Sequence, residues 1–126
     1  MAIYLDTHAA CWLYTGALEK FSPRALEEIE QNSLLISPMV GLELQFLFEI
    51  KRLKVQATEI LNVLRRDFHI QECPAEFVLV SHRARSLQWT RDPFDRIITA
   101  QAALFDAPLL TKDRNIRSNY PQAVWE

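Results

Sequence analysis

The sequence predicts an alternating α/β fold: a central parallel sheet with helices on both faces, a three-layer α/β/α sandwich. Two observations carry that expectation. Short runs rich in strand formers alternate with longer segments at helical spacing, and each short run is continuously apolar. A strand that is apolar on both sides is covered on both sides, which is how parallel strands joined by helical crossovers are buried. Right-handed crossovers then bring the C-terminal ends of all strands to one edge, where open sheets of this kind bind their ligands.

Ala2-Ile3-Tyr4-Leu5 is too short for a helix and reads as a buried strand ending at Asp6-Thr7. His8 to Thr15 follows as a short helix stopped by Gly16, since glycine accepts the left-handed conformation that closes a helix. Ser22-Pro23 pairs an N-cap with a first-turn proline and starts a helix ending near Asn32. Leu34-Leu35-Ile36 is a second buried strand, and Ser37-Pro38 opens a helix expected to run to about Leu53. Gln56 to Asp67 is helical, Phe68 to Gln71 a third strand, and Pro74 the start of a helix reaching about Gln88. Asp92-Pro93 opens the next helix through Ala103. Pro108 then precedes strand Leu109-Leu110-Thr111, a short turn at Asp113, and a last strand Ala123-Val124-Trp125.

The 126 residues are expected to form one domain, 1–126, with enough chain for a real core and no internal repeat. Hydrophobic content of 49% and charged content of 24% are ordinary for a soluble globular chain. Two glycines and six prolines leave no room for a flexible linker, and no phosphate-cradling glycine loop can be drawn. Cys11 and Cys73 are isolated, without metal spacing, and are expected as buried or half-buried thiols. No basic leader precedes an apolar run, and the most apolar stretch, Met39 to Ile50, is interrupted by Glu43, Gln45 and Glu49. A cytoplasmic protein without a membrane span is therefore expected.

The net charge of −2 argues against bulk nucleic-acid binding, but the charge is unevenly placed. Residues 1–50 hold seven acidic and two basic side chains, whereas residues 81–126 hold seven basic and five acidic. A polyanion held locally is compatible with that distribution.

Asp6 and Asp113 fall at strand C-termini, and Asp95 in the first turn of a helix that follows one. All three are expected on the same edge. Strand ends and caps attract aspartate anyway, and Asp95 alone could equally close a capping box with Asp92. Glu43 separates the two readings. It lies inside a helix with Met39, Val40, Phe46 and Leu47 three and four residues away, an apolar face on which an unpaired anion is costly. The alternative is a rim position from which Glu43 reaches solvent. Four carboxylates brought together must either retain protons or share a cation. Oxygen ligands without histidine or cysteine select Mg²⁺ or Mn²⁺, and the matching chemistry is phosphodiester hydrolysis.

Leu-Asp-Thr-His at residues 5–8, Ile-Ser-Pro followed by Glu43, Asp-Pro-Phe-Asp-Arg with Ala-Gln-Ala, and Leu-Leu-Thr-Lys-Asp-Arg together resemble a PIN-domain nuclease, most closely the VapC-type toxins of bacterial toxin–antitoxin pairs. The resemblance covers essentially the whole chain; its motifs are weak singly and specific in their joint order. It implies a Rossmann-like sandwich and Mg²⁺- or Mn²⁺-dependent endoribonuclease activity that inhibits translation and growth. Asp6, Glu43 and Asp95 would be the core acids and metal ligands, Asp113 a fourth and more variable one, and Thr111 the family's hydroxyl residue beside it. It also implies a cognate antitoxin whose tail occupies the site, and a homodimer within a heterotetramer or larger assembly.

Thr7, Thr111, Arg96 and Arg114 are expected to position the substrate, the arginines because a guanidinium can hold a phosphate bidentately. His8 lies two residues from Asp6 and could touch the substrate, although a residue there more often starts the helix; His69 and His82 lack metal-ligand spacing. A phospho-acceptor receiver domain has similar length and class, but Asp6 is followed by Thr7-His8 where paired acids would stand, and Phe68 to Gln71 offers no acceptor aspartate. The same His8 stands where a haloacid-type phosphatase needs its second acid. A non-catalytic binding module remains an alternative from the residues alone. Finally, the Ser37 helix is apolar nearly all round, with Met39, Leu42, Phe46, Ile50 and Leu53 on one line and Val40, Leu44 and Leu47 on another. An exposed apolar strip that binds a partner is the expected result.

Overall fold

The computed structural model describes residues 1–126 as a five-stranded parallel sheet flanked by helices. The elements run β1 (Ala2–Leu5), α1 (Thr7–Thr15), a 3-10 turn (Leu18–Lys20), α2 (Pro23–Gln31), β2 (Ser33–Ile36), α3 (Pro38–Glu49) and α4 (Ala57–Phe68). They continue through β3 (Gln71–Glu72), α5 (Phe77–Ala84), α6 (Pro93–Leu104), β4 (Leu109–Leu110), α7 (Arg114–Asn119) and β5 (Ala123–Val124). Strand order is β3-β2-β1-β4-β5, with Leu5 in register with Ile36 on one side and Leu110 on the other. Consecutive strand residues point to opposite faces. Ile3, Tyr4, Leu5, Leu109 and Leu110 are all buried, so both faces of the central strands are covered. The α/β/α expectation therefore holds in this sheet, and the strand order reverses between β1 and β4, the crevice where such sheets bind ligands.

Several boundaries differ from the sequence reading, each for a local reason. The third strand is Gln71–Glu72 rather than Phe68 to Gln71. Phe68 still belongs to α4, and His69 caps that helix in the left-handed conformation (φ 56°), so extension begins only at Ile70. Pro74 does not start α5: Cys73 N–H still donates to Ile36 O of β2, and the helix begins at Phe77. It ends at Ala84 rather than near Gln88. Helix α3 stops at Glu49, short of Leu53, because Lys51 turns into positive φ (66°). The turn expected at Asp113 extends into the six-residue α7, capped by Asp113 itself.

The main core gathers the sheet's Ile3, Leu5, Ile36, Leu109 and Leu110 with Leu44 of α3 and Leu64 of α4. A smaller cluster of Val80, Ala84, Leu87 and Ala100 joins α5 to α6. Val40 and Leu44 are buried, whereas Leu42 is 58% exposed and Phe46 and Ile50 are exposed as well; Met39 and Leu53 of that same line pack, partly buried, against the core, so the exposed apolar strip is shorter than the line drawn from sequence. No helix is long and apolar enough to cross a membrane.

Candidate active site

The residue after β1, Asp6, sits beside the β1/β4 crevice and is almost fully buried. Its side chain does two jobs. Oδ1 accepts from Ala9 N–H at 2.9 Å and so caps α1, while Oδ2 accepts from Thr111 Oγ1 at 2.5 Å. Thr111 follows β4 directly, and its oxygen in turn accepts from Asp113 N–H at 3.1 Å. Adjacent strand ends are thus tied together through one carboxylate. Burial pushes the Asp6 carboxyl up from its ordinary range, opposed by the bonds from Thr111 and Ala9 and by the His8 imidazole.

Glu43 reaches the same edge from α3. Its Oε1 accepts from Thr7 Oγ1 at 2.5 Å, across 36 residues of sequence. Partial burial raises its pKa first, and the carboxylates of Asp92 and Asp6 raise it further; the Thr7 bond and His8 act against them. Glu43 therefore points toward the acid edge and does not swing to a solvent rim.

Asp95 has no side-chain partner in the structure, in contrast to the other three acids. The capping-box alternative fails because Asp92 N–H donates to Thr90 Oγ1 at 3.1 Å. Asp92 caps α6 alone, accepting from Phe94 N–H at 2.8 Å and Asp95 N–H at 3.3 Å. Asp95 is pushed up to about 7, first by partial burial and then by the charges of Asp92, Asp113, Glu43 and Asp6. All the acids nominated from sequence, with Asp92 added, thus share one electrostatic neighbourhood. They do not close into a three-ligand cluster. Asp6, Glu43 and Asp113 are each held by their own hydrogen-bond donors.

The four residues expected to position substrate divide differently. Thr7 and Thr111 are buried, and their hydroxyls orient Glu43 and Asp6. Both hydroxyls are thereby engaged by the acids. Arg96 is engaged elsewhere: Nε donates to Ala84 O at 2.9 Å and Nη2 to Arg85 O at 3.3 Å, at the C-terminal end of α5. Arg114, at the start of α7, is exposed and forms no ion pair.

Sequence reasoning missed Gln101. It is buried in α6, its Oε1 accepts from Ser37 Oγ at 2.9 Å, and its Nε2 has no partner. With Ser37 it lines an apolar cavity of about 300 Å³ between α3, α5 and α6, walled by Met39, Leu42, Phe77 and Ile97. The available signal was a glutamine between alanines in an otherwise apolar stretch.

The cation fit can be judged from the donor set. Oxygen ligands alone, with carboxyl groups raised by burial and by one another, match a hard divalent ion that keeps several waters and needs few direct protein ligands. The donors here fit such an ion.

A PIN domain profile matches residues 3–120. Ribonuclease VapC22 of Mycobacterium tuberculosis is 30% identical over 129 residues, covering 98% of each chain. A chain in the crystal structure of VapBC2 from Rickettsia felis bound to a DNA fragment from their promoter matches the whole of this chain and the whole of its own, with TM-score 0.69 and 17% identity.

Proposed function

Because the chain belongs to the PIN-domain family, on its VapC-type branch, we propose that it is a Mg²⁺- or Mn²⁺-dependent endoribonuclease, the toxin of a toxin–antitoxin pair. The observation that carries this reading is the meeting of Asp6 with Thr111 at the β1/β4 crevice, beside the unpartnered carboxyl of Asp95 and the Thr7-held Glu43.

Asp6, Glu43 and Asp95 would hold the ion, with Asp113 contributing from the far side of Thr111. A divalent ion bound there supplies Lewis acidity toward a phosphodiester and the water that attacks it. The chain's own residues do the rest. Thr111 and the end of α1 fix Asp6, so its remaining lone pairs face the crevice. Thr7 fixes Glu43. Asp95, whose carboxyl accepts no hydrogen bond and is pushed up to about 7 in the absence of an ion, would give up its proton to ligate one. The exposed side chains of α3, Leu42, Phe46 and Ile50, with Phe77, Val78 and Leu79 of α5, offer the apolar surface for an antitoxin and for a second copy of the chain. Cytoplasmic residence, and inhibition of translation by RNA cleavage, complete the proposal.

The test is cleavage of RNA in Mg²⁺ or Mn²⁺ by wild type and Asp6→Asn. Asparagine is as good an N-cap as aspartate, so the variant is expected to fold while losing the charge. Cleavage by wild type alone supports the reading. Equal cleavage by both, or by neither with any RNA, removes it.

A further inference from the structure

A substrate strand of negative charge must approach an edge crowded with carboxylates, so cations are needed beside that edge. Two of the nearby arginines are already engaged, while Arg114 is exposed and unpaired. Arg96 is bonded to carbonyls of Ala84 and Arg85, and Arg117 pairs with Glu126 at 3.4 Å. Lys20 and Lys112 are different. Lys20 closes the 3-10 turn after α1, and Lys112 stands between Thr111, which holds Asp6, and Asp113. The two lie 92 residues apart in the numbering, yet both ammonium groups stand over the same indole. Lys20 Nζ is 5.5 Å and Lys112 Nζ 5.9 Å from the Trp12 ring centroid. Neither forms an ion pair.

Trp12 is itself held rigidly. Its ring packs edge-on to Phe21 at 5.9 Å and to Trp125 at 6.0 Å, and the ring of His8, two residues after Asp6, lies 5.9 Å away. The indole attracts each ammonium by cation–π interaction, worth about 0.5–1 kcal/mol at an exposed site. Two like charges gathered on one ring, neither in an ion pair, repel each other. An anion bridging them removes that repulsion. Lysine suits that task as a flexible point charge with three donors.

We propose that Lys20 and Lys112, carried on Trp12, hold successive backbone phosphates of single-stranded RNA and set its path into the site across α1 and the β4–α7 turn. The path avoids α5 and α6, where Arg96 is engaged. This rests on the ribonuclease reading above, and it assigns to Trp12 the role of carrying the charges, with base stacking left aside. Phosphate contacts of this kind carry register and affinity without sequence preference.

The experiment measures binding of a labelled single-stranded RNA oligonucleotide to the full chain by fluorescence anisotropy in EDTA, across a salt series. A parallel arm measures cleavage kinetics in Mg²⁺ or Mn²⁺. In Lys20→Ala/Lys112→Ala, affinity at low salt is expected to fall about tenfold or more. The slope of log Kd against log salt should flatten by about 1.4, the value for two single-strand phosphate contacts. The cleavage loss should fall in KM rather than kcat, and Lys20→Arg/Lys112→Arg should restore binding. Denaturation midpoints of both variants check the fold.

Unaltered affinity, slope and KM in the alanine pair, with wild type cleaving, overturn the subsite and leave the ribonuclease reading standing. No cleavage by wild type, together with the expected binding loss, removes the ribonuclease reading and keeps the subsite. Weakened binding of a poly-glutamate peptide with RNA binding intact marks instead a surface for an acidic protein, and also overturns it.

Discussion

Thr111 donates its hydroxyl hydrogen to Asp6 Oδ2 at 2.5 Å, although the two stand 105 positions apart in the chain. The same oxygen accepts from Asp113 N–H, so one side chain ties two acids to the end of β4. Thr111→Val should leave a buried carboxylate and a backbone N–H without their partner. A hydrogen bond to a charged group is worth about 1.5–3 kcal/mol, so a loss of about 2 kcal/mol in urea unfolding is expected at pH 7. The Thr111 bond lowers the Asp6 pKa, so the valine variant should also need a higher pH to reach full cleavage activity. Thr111→Ser retains the hydroxyl and should behave close to wild type. A stable, fully active valine variant would contradict the role.

Asp95 is expected to make stability depend on pH. Its folded-state pKa is pushed up to about 7 from an ordinary 3.8, first by burial and then by neighbouring acids. Between those values the folded chain holds a proton that the unfolded chain has released, so stability falls as pH rises from about 4 to about 7, and is flat above. Asp95→Asn carries no such proton. Its stability relative to wild type should match near pH 4, rise through that window, and stay constant from about pH 7.5 upward. Parallel denaturation curves at four or five pH values check this; a difference independent of pH would refute it.

The alternation of strands and helices, the apolar strands and the acids at strand ends were legible because they follow from burial and from the chemistry of helix starts. What escaped depended on contacts between segments distant in sequence. That Asp95 is free of a capping box is decided by Thr90, whose hydroxyl takes the Asp92 N–H. Nothing in the Asp-Pro-Phe-Asp pattern shows that. Arg96 follows an acid directly and so reads as a phosphate ligand, but the carbonyls it binds belong to the end of α5, a position fixed only by packing. His69 occupies a left-handed cap that sequence would assign to glycine, which displaced the third strand. Gln101 and its orphaned amide emerged only once Ser37 lay against it.

Glu43 is expected to matter for the ion more than for the fold. Glu43→Gln keeps an oxygen to accept from Thr7 and removes a charge that burial and nearby acids disfavour. The unfolding midpoint should therefore move little, by less than about 1 kcal/mol. Divalent-ion affinity should fall more than about tenfold, since even outer-shell partners of a metal are worth that much. Calorimetric titration with Mn²⁺ measures it, and an unchanged affinity would remove Glu43 from the ligand set. In wild type, added ion should also raise the unfolding midpoint, because it binds the folded chain alone.

The apolar strip gives the last prediction. Leu42 is 58% exposed and Phe77 66% exposed, and both wall the cavity that ends on the unpartnered Gln101 amide. An exposed leucine contributes little to the isolated fold, so Leu42→Glu should change stability by no more than about 0.5 kcal/mol. The same change places a charge in the middle of any apolar contact made across this face, where an unpaired anion is costly to bury. Sedimentation velocity should then show wild type associating with concentration, and Leu42→Glu remaining monomeric with an unaltered unfolding curve. Phe77→Glu should act likewise if α3 and α5 form one surface, whereas a surface confined to α3 would be broken by Leu42→Glu alone. A wild-type chain that stays a stable monomer at every concentration would mean that this face has no self-partner.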